Sequence, residues 1–331
     1  MSEYKKISIL ALGQILAADG EFMQWRPDLN QASPGASTYG ISKGMLFVFF
    51  AGVLWSTVGI GIRLMESAMV WQILFYRSFG LSALLFGVIF IMTRQNPFRL
   101  MWQTGLGGVI GGLALVAAYT GGIYSIQTTS VGNALLIFAS APLITAILAR
   151  ITLGERVRKA TWIAIFVATT GVFIMVADKF GSSAFKGNLA ALGSAAGFAI
   201  FTITLRRGKD SQMMPAVLLS GLFAIPIMAM ICHQLDLPLT ISQHDMTLSL
   251  IMGIGQVGAG LVLYTIGSKT VPAAELTLLS LAEVVLGPFW VWIILGETIT
   301  GYTMIGGIIL LMAIAGNAIS GQRRNPPITP V

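Results

Sequence analysis

The sequence predicts an all-α, polytopic membrane protein with about ten transmembrane helices in two inverted five-helix repeats. Three observations lead to this fold class: the composition, the spacing of the apolar stretches and an internal repeat. Hydrophobic residues make up 55% of the 331 positions and charged residues only 10%, whereas a soluble domain carries about 25% charged residues. Charged residues are too few to cover a surface that faces water. Most of the protein surface is therefore expected to face lipid.

Ten apolar stretches have, or nearly have, the length needed to cross a bilayer. A hydrocarbon core about 30 Å thick requires about 20 apolar residues in helical form. The third and fourth stretches are separated by the polar segment 127–129, and the eighth and ninth by Val271-Pro272. The predicted helices are 44–62, 68–92, 101–124, 129–149, 159–177, 187–205, 213–232, 248–268, 272–294 and 302–320.

The two ends of the chain differ from this pattern. Residues 1–42 have mixed polarity and contain Ser33-Pro34-Gly35, which predicts a flexible cytoplasmic extension. The apolar run 7–18 has the length of a signal-peptide core but is too short to span, and no clean cleavage site follows it. Residues 321–331 are predicted to form a cytoplasmic tail.

The distribution of Lys and Arg predicts the orientation. With a cytoplasmic N-terminus, sixteen basic residues fall in inside segments and three (Arg63, Lys179 and Lys186) in outside segments, while Arg77 lies within a helix. Because inside loops are enriched in Lys and Arg, both termini are expected in the cytoplasm of a cell with the chain in its inner (plasma) membrane. The net charge of +7 therefore reflects topology, and no nucleic-acid partner is predicted. The oligomeric state stays open.

An internal repeat divides the chain into 43–180 and 186–320. Residues 43–63 and 186–206 both begin with Lys-Gly and end with Arg, at an offset of 143. Five helices per repeat is an odd number, so the two repeats must have opposite orientations. Inverted repeats are a recurring plan of secondary transporters; a plain duplication without a transport role is the alternative.

A Leu-Gly-Glu sequence closes the fourth helix of each repeat. It occurs at 153–155 and again at 295–297, at an offset of 142. Gly154 and Gly296 are expected to end a helix, and Glu155 and Glu297 to cap the N-terminus of the helix that follows. These four residues are interpreted as structural.

Several of these motifs occur in an order that resembles a known family. They are Leu54-Trp55-Ser56 in helix 1, Arg77 in helix 2, Ala141-Pro142 in helix 4, the two Leu-Gly-Glu turns and Glu283 in helix 9. Over about 43–320 the chain resembles the drug/metabolite transporter superfamily, specifically bacterial permeases with two EamA-type domains. The resemblance implies transport of a small metabolite, commonly export. That family often has Glu-Pro in helix 9, whereas this chain has Glu283-Val284 and then Pro288, so the position of the bend in helix 9 stays open.

Three ionisable residues, Arg77, Glu275 and Glu283, fall within the predicted helices. A charge at the bilayer centre costs at least ~2.5–3.5 kcal/mol on insertion scales, so such residues are functional candidates. Glu283 lies midway along helix 9 among apolar neighbours, which favour its neutral form, and it is a candidate for proton coupling or a structural glutamate. Arg77 keeps its charge and either pairs with another helix or binds substrate. We expect Glu283 and Arg77 to share a central cavity.

Further polar and aromatic residues are candidates for that cavity. Glu275 is expected at a solvated helix N-terminus at the cytoplasmic edge, and its counterpart in the first repeat is Asn133. Residues at a suitable depth to line the cavity are Trp55, Tyr119, Ser140, Tyr264 and Ser280.

The predicted function is secondary-active, proton-linked or facilitative transport of a small molecule. The favoured direction is export of amino acids, related metabolites or small toxic organics. An importer on the same fold is the first alternative, and a membrane-embedded sensor or enzyme is the second. No cofactor or metal is predicted, because His233 and His244 are isolated and no glycine-rich phosphate loop precedes a lysine. No nucleophile and base are paired within the helices, so the protein is predicted not to be an enzyme.

Overall fold

The computed structural model of the protein describes residues 42–129, 131–177, 185–296 and 300–322. Regular secondary structure in these residues is helical throughout, as the sequence predicts. The expected N-terminal extension, apart from Ser42, and the expected tail beyond Gln322 lie outside the described residues.

Ten apolar helices, here numbered α1 to α10, form the helix bundle of the described residues. Nine are long and apolar enough to cross a membrane, and α5 is shorter, with 17 residues. At 1.5 Å per residue, α5 is about 26 Å long. The helices are α1 (Lys43–Ser56 and Val58–Arg63), α2 (Val70–Thr93), α3 (Gly105–Thr128), α4 (Val131–Phe138, Ala141–Leu148 and Ala149–Leu153), α5 (Lys159–Met175), α6 (Phe185–Arg207), α7 (Met214–Gln234), α8 (Gln243–Ile251, Met252–Gly258 and Ala259–Gly267), α9 (Ala273–Ser280 and Ala282–Leu295) and α10 (Gly301–Gln322).

Two helices begin several residues away from their predicted positions. α3 begins at Gly105 rather than 101, because Pro97–Gln103 forms a separate short helix and Gly105 has a φ of +57°. α8 begins at Gln243 rather than 248. The Ser242 side chain accepts a hydrogen bond from the Asp245 N–H (3.1 Å), which caps an additional turn.

The helices α4 and α9 are each broken near the middle, at equivalent positions of the two repeats. α4 stops at Phe138 and resumes at Ala141, and α9 stops at Ser280 and resumes at Ala282. The offset of 142 that relates the Leu-Gly-Glu turns places the first break on the second. Broken helices in both halves are a feature of secondary transporters with inverted repeats.

The break in α9 answers the question that the missing Glu-Pro left open. In α4, Pro142 lies in the first turn of the second piece, where its lack of an N–H removes no helical hydrogen bond. In α9 the chain breaks at the same place without a proline there, and Pro288 lies inside the second piece. Helix 9 is therefore interrupted at Leu281, two residues before Glu283.

Two other helices depart from regular α geometry. α1 is interrupted at Thr57, and Met252–Gly258 of α8 forms a π-helix. A π-helical turn is wider than an α-helical one and is frequent at functional sites. The irregular parts of α1 and α8 lie side by side. This is shown by the hydrogen bond from the Gln256 side chain of α8 to the Trp55 carbonyl, two residues before the interruption of α1.

Small residues bring the helix backbones close together. A Cβ at Gly121 of α3 would lie 2.8 Å from the carbonyl oxygen of Ala190 in α6, and one at Gly171 of α5 would lie 2.8 Å from that of Gly306 in α10. Such contacts are typical of helix packing in lipid, where small residues permit close approach. The chain is thus held together by tightly packed helix pairs around the irregular helices.

Candidate functional site

An aromatic cluster lies where α1, α4, α6 and α8 meet. The ring of Trp55 is 5.3 Å from that of Tyr264 and 6.0 Å from that of Phe198, centroid to centroid. Phe198 also contacts Phe138 (6.1 Å), and Phe201 stacks on Tyr264 (6.2 Å). These five residues, the aromatic cluster, come from both repeats. The structure thus brings together Trp55 and Tyr264, two of the residues that the sequence predicts in a cavity.

Tyr264 is fixed within this cluster. Its side chain is fully buried, and its hydroxyl lies 2.8 Å from the Thr202 hydroxyl. Thr202 itself donates to the Phe198 carbonyl (2.9 Å), so Tyr264 is the hydrogen-bond donor of the pair. The hydroxyl of Tyr264 is therefore held within the protein and the face of its ring packs against Phe201.

Glu283 lies in the first turn of the second piece of α9. The side chain is half-buried, and among the described residues it takes part in no hydrogen bond or ion pair. Gly52 of α1 packs against its backbone, because a Cβ there would lie 3.8 Å from the Glu283 nitrogen. Glu283 therefore lies against α1, the helix that carries Trp55 of the aromatic cluster.

Arg77 occupies a separate position in α2. It is 7% exposed, and its guanidinium carbon lies 5.4 Å from the centroid of the Tyr119 ring. This is a cation–π arrangement. The Tyr119 hydroxyl donates to the carbonyl of Ser220 in α7 (3.3 Å). No described contact joins Arg77 to Glu283, so their sharing of one cavity stays a prediction.

The polar candidates at the two helix breaks make local hydrogen bonds. The Ser140 hydroxyl donates to the Ile137 carbonyl (2.6 Å), and the Ser280 hydroxyl donates to the Thr277 carbonyl (2.8 Å). Asn133 lies in the first piece of α4, with its amide nitrogen 3.4 Å from the Thr129 hydroxyl. The two serine hydroxyls thus bond to carbonyls three residues earlier in their own helices, beside the breaks.

Glu275 is buried and paired, so the expectation that it is solvated was wrong. It is 5% exposed, and its Oε1 lies 3.1 Å from Nε and 3.0 Å from Nη2 of Arg158. Arg158 also donates to both the backbone and the side-chain oxygens of Asn317 in α10 (3.3 Å each). The guanidinium has many donors, and it therefore holds the starts of α5 and α9 and the end of α10 together.

Both predicted helix-ending glycines behave as expected, whereas Glu155 does not cap the next helix. Gly154 has a φ of +66° and Gly296 a φ of +69° at the ends of α4 and α9; Glu297 lies outside the described residues. Glu155 accepts hydrogen bonds from Nη2 of Arg206 (2.6 Å) and from the N–H of Ala273 (3.1 Å). Glu155 thus caps α9 instead of α5, because its carboxylate binds the Arg206 guanidinium and an N–H group at the start of α9.

Asp245 ties two loops together at the opposite end of the bundle. Its side chain has no exposed surface and accepts hydrogen bonds from the N–H groups of Glu66 (2.9 Å), Ser67 (3.0 Å) and Ala68 (2.9 Å). We call these four residues the Asp245 clamp. His244 Nδ1 lies 3.2 Å from the same carboxylate.

The same end carries further bonds between the α1–α2 and α7–α8 regions. Gln72 donates to the Pro238 carbonyl (2.5 Å), and Tyr76 donates to the Leu239 carbonyl (2.8 Å). Glu66, His244 and Asp245 also bring potential metal-ligand atoms within 4.8 Å of one another, but the Asp245 oxygens already accept the clamp hydrogen bonds. The arrangement therefore closes this end of the bundle. The sequence analysis missed Asp245, although the spacing of Ser242 and Asp245 is a capping signal.

Gln256 is a second polar residue that the sequence analysis missed. It lies in the π-helix of α8, is 7% exposed and donates from Nε2 to the Trp55 carbonyl (3.1 Å). Its Oε1 is buried and has no hydrogen-bond partner in the described part of the chain. A lone glutamine in an apolar sequence carries no motif that would single it out.

Two repeats of opposite orientation, with helices broken at equivalent positions around an aromatic cluster and a lone carboxyl group, define a membrane transporter of the inverted-repeat class. The model of the EamA-like transporter family matches residues 42–177 and 185–319, which is most of the chain. The protein belongs to this family. It is accordingly a multi-pass protein of the lipid bilayer.

Similar proteins agree with this assignment. The Bacillus subtilis (strain 168) protein named "Uncharacterized transporter YwfM" is 26% identical over 191 residues, which cover 56% of this chain and 63% of that protein. An "Uncharacterized transporter" of Vibrio cholerae serotype O1 is 28% identical over 197 residues, covering 56% and 61%. The matches thus span about three fifths of the length of these relatives. A solved crystal structure has a TM-score of 0.69 at 20% identity, covering 84% of this chain and 99% of that one, and supports the fold.

Proposed function

We propose that the protein is a carrier that exports an amino acid, a related metabolite or a small toxic organic, with Glu283 as the site that couples transport to protons. The observation that carries this proposal is the position of Glu283 at the break of α9, where its half-buried carboxyl group has no ion pair with any described residue. Broken helices at the repeat interface form the substrate and ion sites of secondary transporters.

The environment of Glu283 supports a change in its protonation during the cycle. A buried carboxylate that lacks a cation is unfavourable, so a proton or a cationic group of the substrate must compensate its charge. The aromatic cluster on one side provides an apolar surface for the body of a solute. Competition between proton and substrate for one carboxyl group couples their movements.

The charge distribution supports the orientation of the carrier. The end of the bundle that carries Glu155, Arg158 and Arg206 is the one to which sixteen of the twenty basic residues are assigned. By the positive-inside rule, this end and both termini are cytoplasmic, and the Asp245 clamp faces the outside of the inner (plasma) membrane. Export then requires the clamp to open.

The first experiment compares a carrier with the other classes. Purified protein in proteoliposomes loaded with unlabelled solute should accumulate labelled solute transiently by counterflow, which a sensor or an enzyme cannot produce. Solutes are chosen by a growth screen of an overexpressing strain against amino acids and antimetabolites. An importer is distinguished by the strain's increased sensitivity to the solute.

Replacement of Glu283 tests the coupling site. Glu283→Gln resembles the protonated form, so the variant should fold and bind solute, lose transport driven by a pH gradient and retain exchange between two loaded sides. The matched control is Asp210→Asn, which removes an exposed carboxyl group from the loop after α6 and should leave transport unchanged. Wild-type proton coupling in Glu283→Gln would eliminate this residue from the mechanism.

Arg77 is tested by two substitutions that separate substrate binding from structure. Arg77→Lys keeps the charge but loses the planar fork, so it should impair transport if Arg77 binds a carboxylate of the solute. If the interaction with Tyr119 only holds α2 and α3 together, Arg77→Lys should transport normally and Arg77→Ala should lower the amount of folded protein. Transport rates and size-exclusion profiles of the purified variants decide between the two roles.

A further inference from the structure

The side-chain amide of Gln256 is buried, and only one of its two polar atoms makes a hydrogen bond within the described residues. Its Nε2 donates to the main-chain carbonyl of Trp55. That carbonyl is in the last turn of the first piece of α1, where helix carbonyls lack helical partners. Because a carbonyl can only accept, the amide nitrogen must face Trp55, and the orientation of the amide is fixed by this contact. The oxygen Oε1 therefore points away from Trp55, and it is a buried acceptor that has no hydrogen-bond partner among the described residues.

An unpaired buried acceptor is costly in a folded protein. Leaving one costs about 1–3 kcal/mol, and the great majority of such atoms have a partner. Gln256 could satisfy Oε1 by rotating only if it gave up the bond to Trp55. The π-helical turn Met252–Gly258 places this residue outside regular helical geometry, which is itself a frequent sign of a functional position. These two observations are independent and both point to a ligand.

The groups around Gln256 define the chemistry of that ligand. Four residues after Gln256, Gly260 packs against the Trp55 indole, and a Cβ there would lie 3.0 Å from the indole Cε2. The indole contacts Tyr264, and Gly52, three residues before Trp55 in α1, packs against the backbone of Glu283. The site therefore offers an amide oxygen, a carboxyl group and aromatic faces, and each of these attracts an N–H donor or a cation.

We propose that Gln256 is a specificity-determining residue of the carrier, whose Oε1 accepts a hydrogen bond from a protonated amine of the solute. The amine lies among Gln256, Glu283 and the face of Trp55, and the apolar body of the solute packs on the aromatic cluster. The site thus selects amphipathic amines over acids of the same shape. This inference rests on the proposed carrier function and adds the class of substrate to it.

The test uses two probes of similar shape and opposite charge, 2-phenylethylamine and 3-phenylpropionate. Binding to the purified full-length protein is measured by calorimetry, and exchange by counterflow in proteoliposomes. The wild type should bind and exchange the amine and not the acid. Gln256→Met removes the acceptor at similar length, and loss of a hydrogen bond to a charged group should weaken amine binding about tenfold to hundredfold.

A matched control separates the loss of the acceptor from general damage to α8. Gln243→Met makes the same chemical change at an exposed position of the same helix and should bind the amine as the wild type does. The thermal unfolding of each variant is measured in parallel. If Gln256→Met fails to fold, Gln256→Glu in its neutral form keeps both a donor for the Trp55 carbonyl and an acceptor oxygen, and it should retain preference for the amine over the acid.

The inference and the proposed carrier function fail in different ways. Equal binding of amine and acid by the wild type, no binding of the amine, or unchanged amine affinity in Gln256→Met would each overturn the role of Gln256. If the wild type nevertheless exchanges another solute from the growth screen, the carrier function stands. If no solute shows counterflow, the carrier function itself is refuted.

Discussion

The Asp245 clamp leads to a quantitative prediction about the closure of one end of the bundle. Asp245→Asn keeps the shape of the side chain but leaves one oxygen for three N–H groups, and it turns an NH₂ group toward a donor. At least one hydrogen bond to a charged acceptor is lost, which costs about 1.5–3 kcal/mol. We use about 2 kcal/mol as the free-energy cost of this loss. The value is in the lower part of the range because the clamp involves one loop, between α1 and α2, where water can replace the lost hydrogen bond. Since 1.4 kcal/mol is a factor of ten, the open form should become about thirtyfold more populated.

Thiol labelling can measure this change. Cys232, the single cysteine of the sequence, is fully buried, so a cysteine introduced at Ser78 reports with little background. Ser78 is 3% exposed and follows Arg77. In lipid nanodiscs, a polar maleimide should label Ser78→Cys about thirtyfold faster when Asp245→Asn is also present.

A control variant shows whether the effect belongs to the clamp. Asp210→Asn removes an exposed carboxylate from the corresponding loop of the second repeat and should leave the labelling rate of Ser78→Cys unchanged. An equal rate in Asp245→Asn and the wild type, with both proteins folded, would refute the claim that the clamp keeps this end closed.

Two further predictions concern topology and packing. Reporter fusions after Lys209 and Arg324 should both report the cytoplasm and one after Asp236 the opposite side; finding Lys209 and Asp236 on one side would contradict the ten-helix orientation. Gly253→Ala should lower the unfolding temperature, because a Cβ there would lie 3.0 Å from backbone atoms of Arg77 and Leu81, whereas Gly255→Ala in the same π-helix meets nothing within 4 Å. Equal unfolding temperatures for the two variants in detergent would contradict this packing argument.

The number and order of the helices could be predicted from the sequence because both depend on local composition. Apolar length determines whether a helix can cross a bilayer, and the repeated Leu-Gly-Glu turns fix the ends of α4 and α9. The break in α4 also has a local cause, since Pro142 follows it directly. In α9 no proline follows the break at Leu281 directly. This break therefore could not be predicted from the local sequence, and the structure shows it at the position equivalent to the break in α4.

The polar contacts could not be predicted because their partners are far apart in the sequence. Glu155 was expected to cap the next helix, but Arg206 and Ala273 compete for its carboxylate. Asp245 lies about 180 positions from its three donors, and its buried character depends on them. The partners of Gln256 likewise arise from the meeting of two irregular helices. Local patterns identify such residues as polar, but only the packed helices show whether a charge is exposed, paired or alone.

The contacts of Glu155 and Arg158 have a consequence for biosynthesis. Both residues belong to the first repeat, and the side chains that neutralise them, Arg206 and Glu275, belong to the second. When only the first five helices have been synthesised, Glu155 and Arg158 lack these partners from the second repeat. Glu155 is then already present to cap the start of α9 when that helix forms. A gene split between the repeats would deprive each product of charges that the other supplies. Glu155 and Arg158 can therefore acquire these ion-pair partners only after the second repeat has been made.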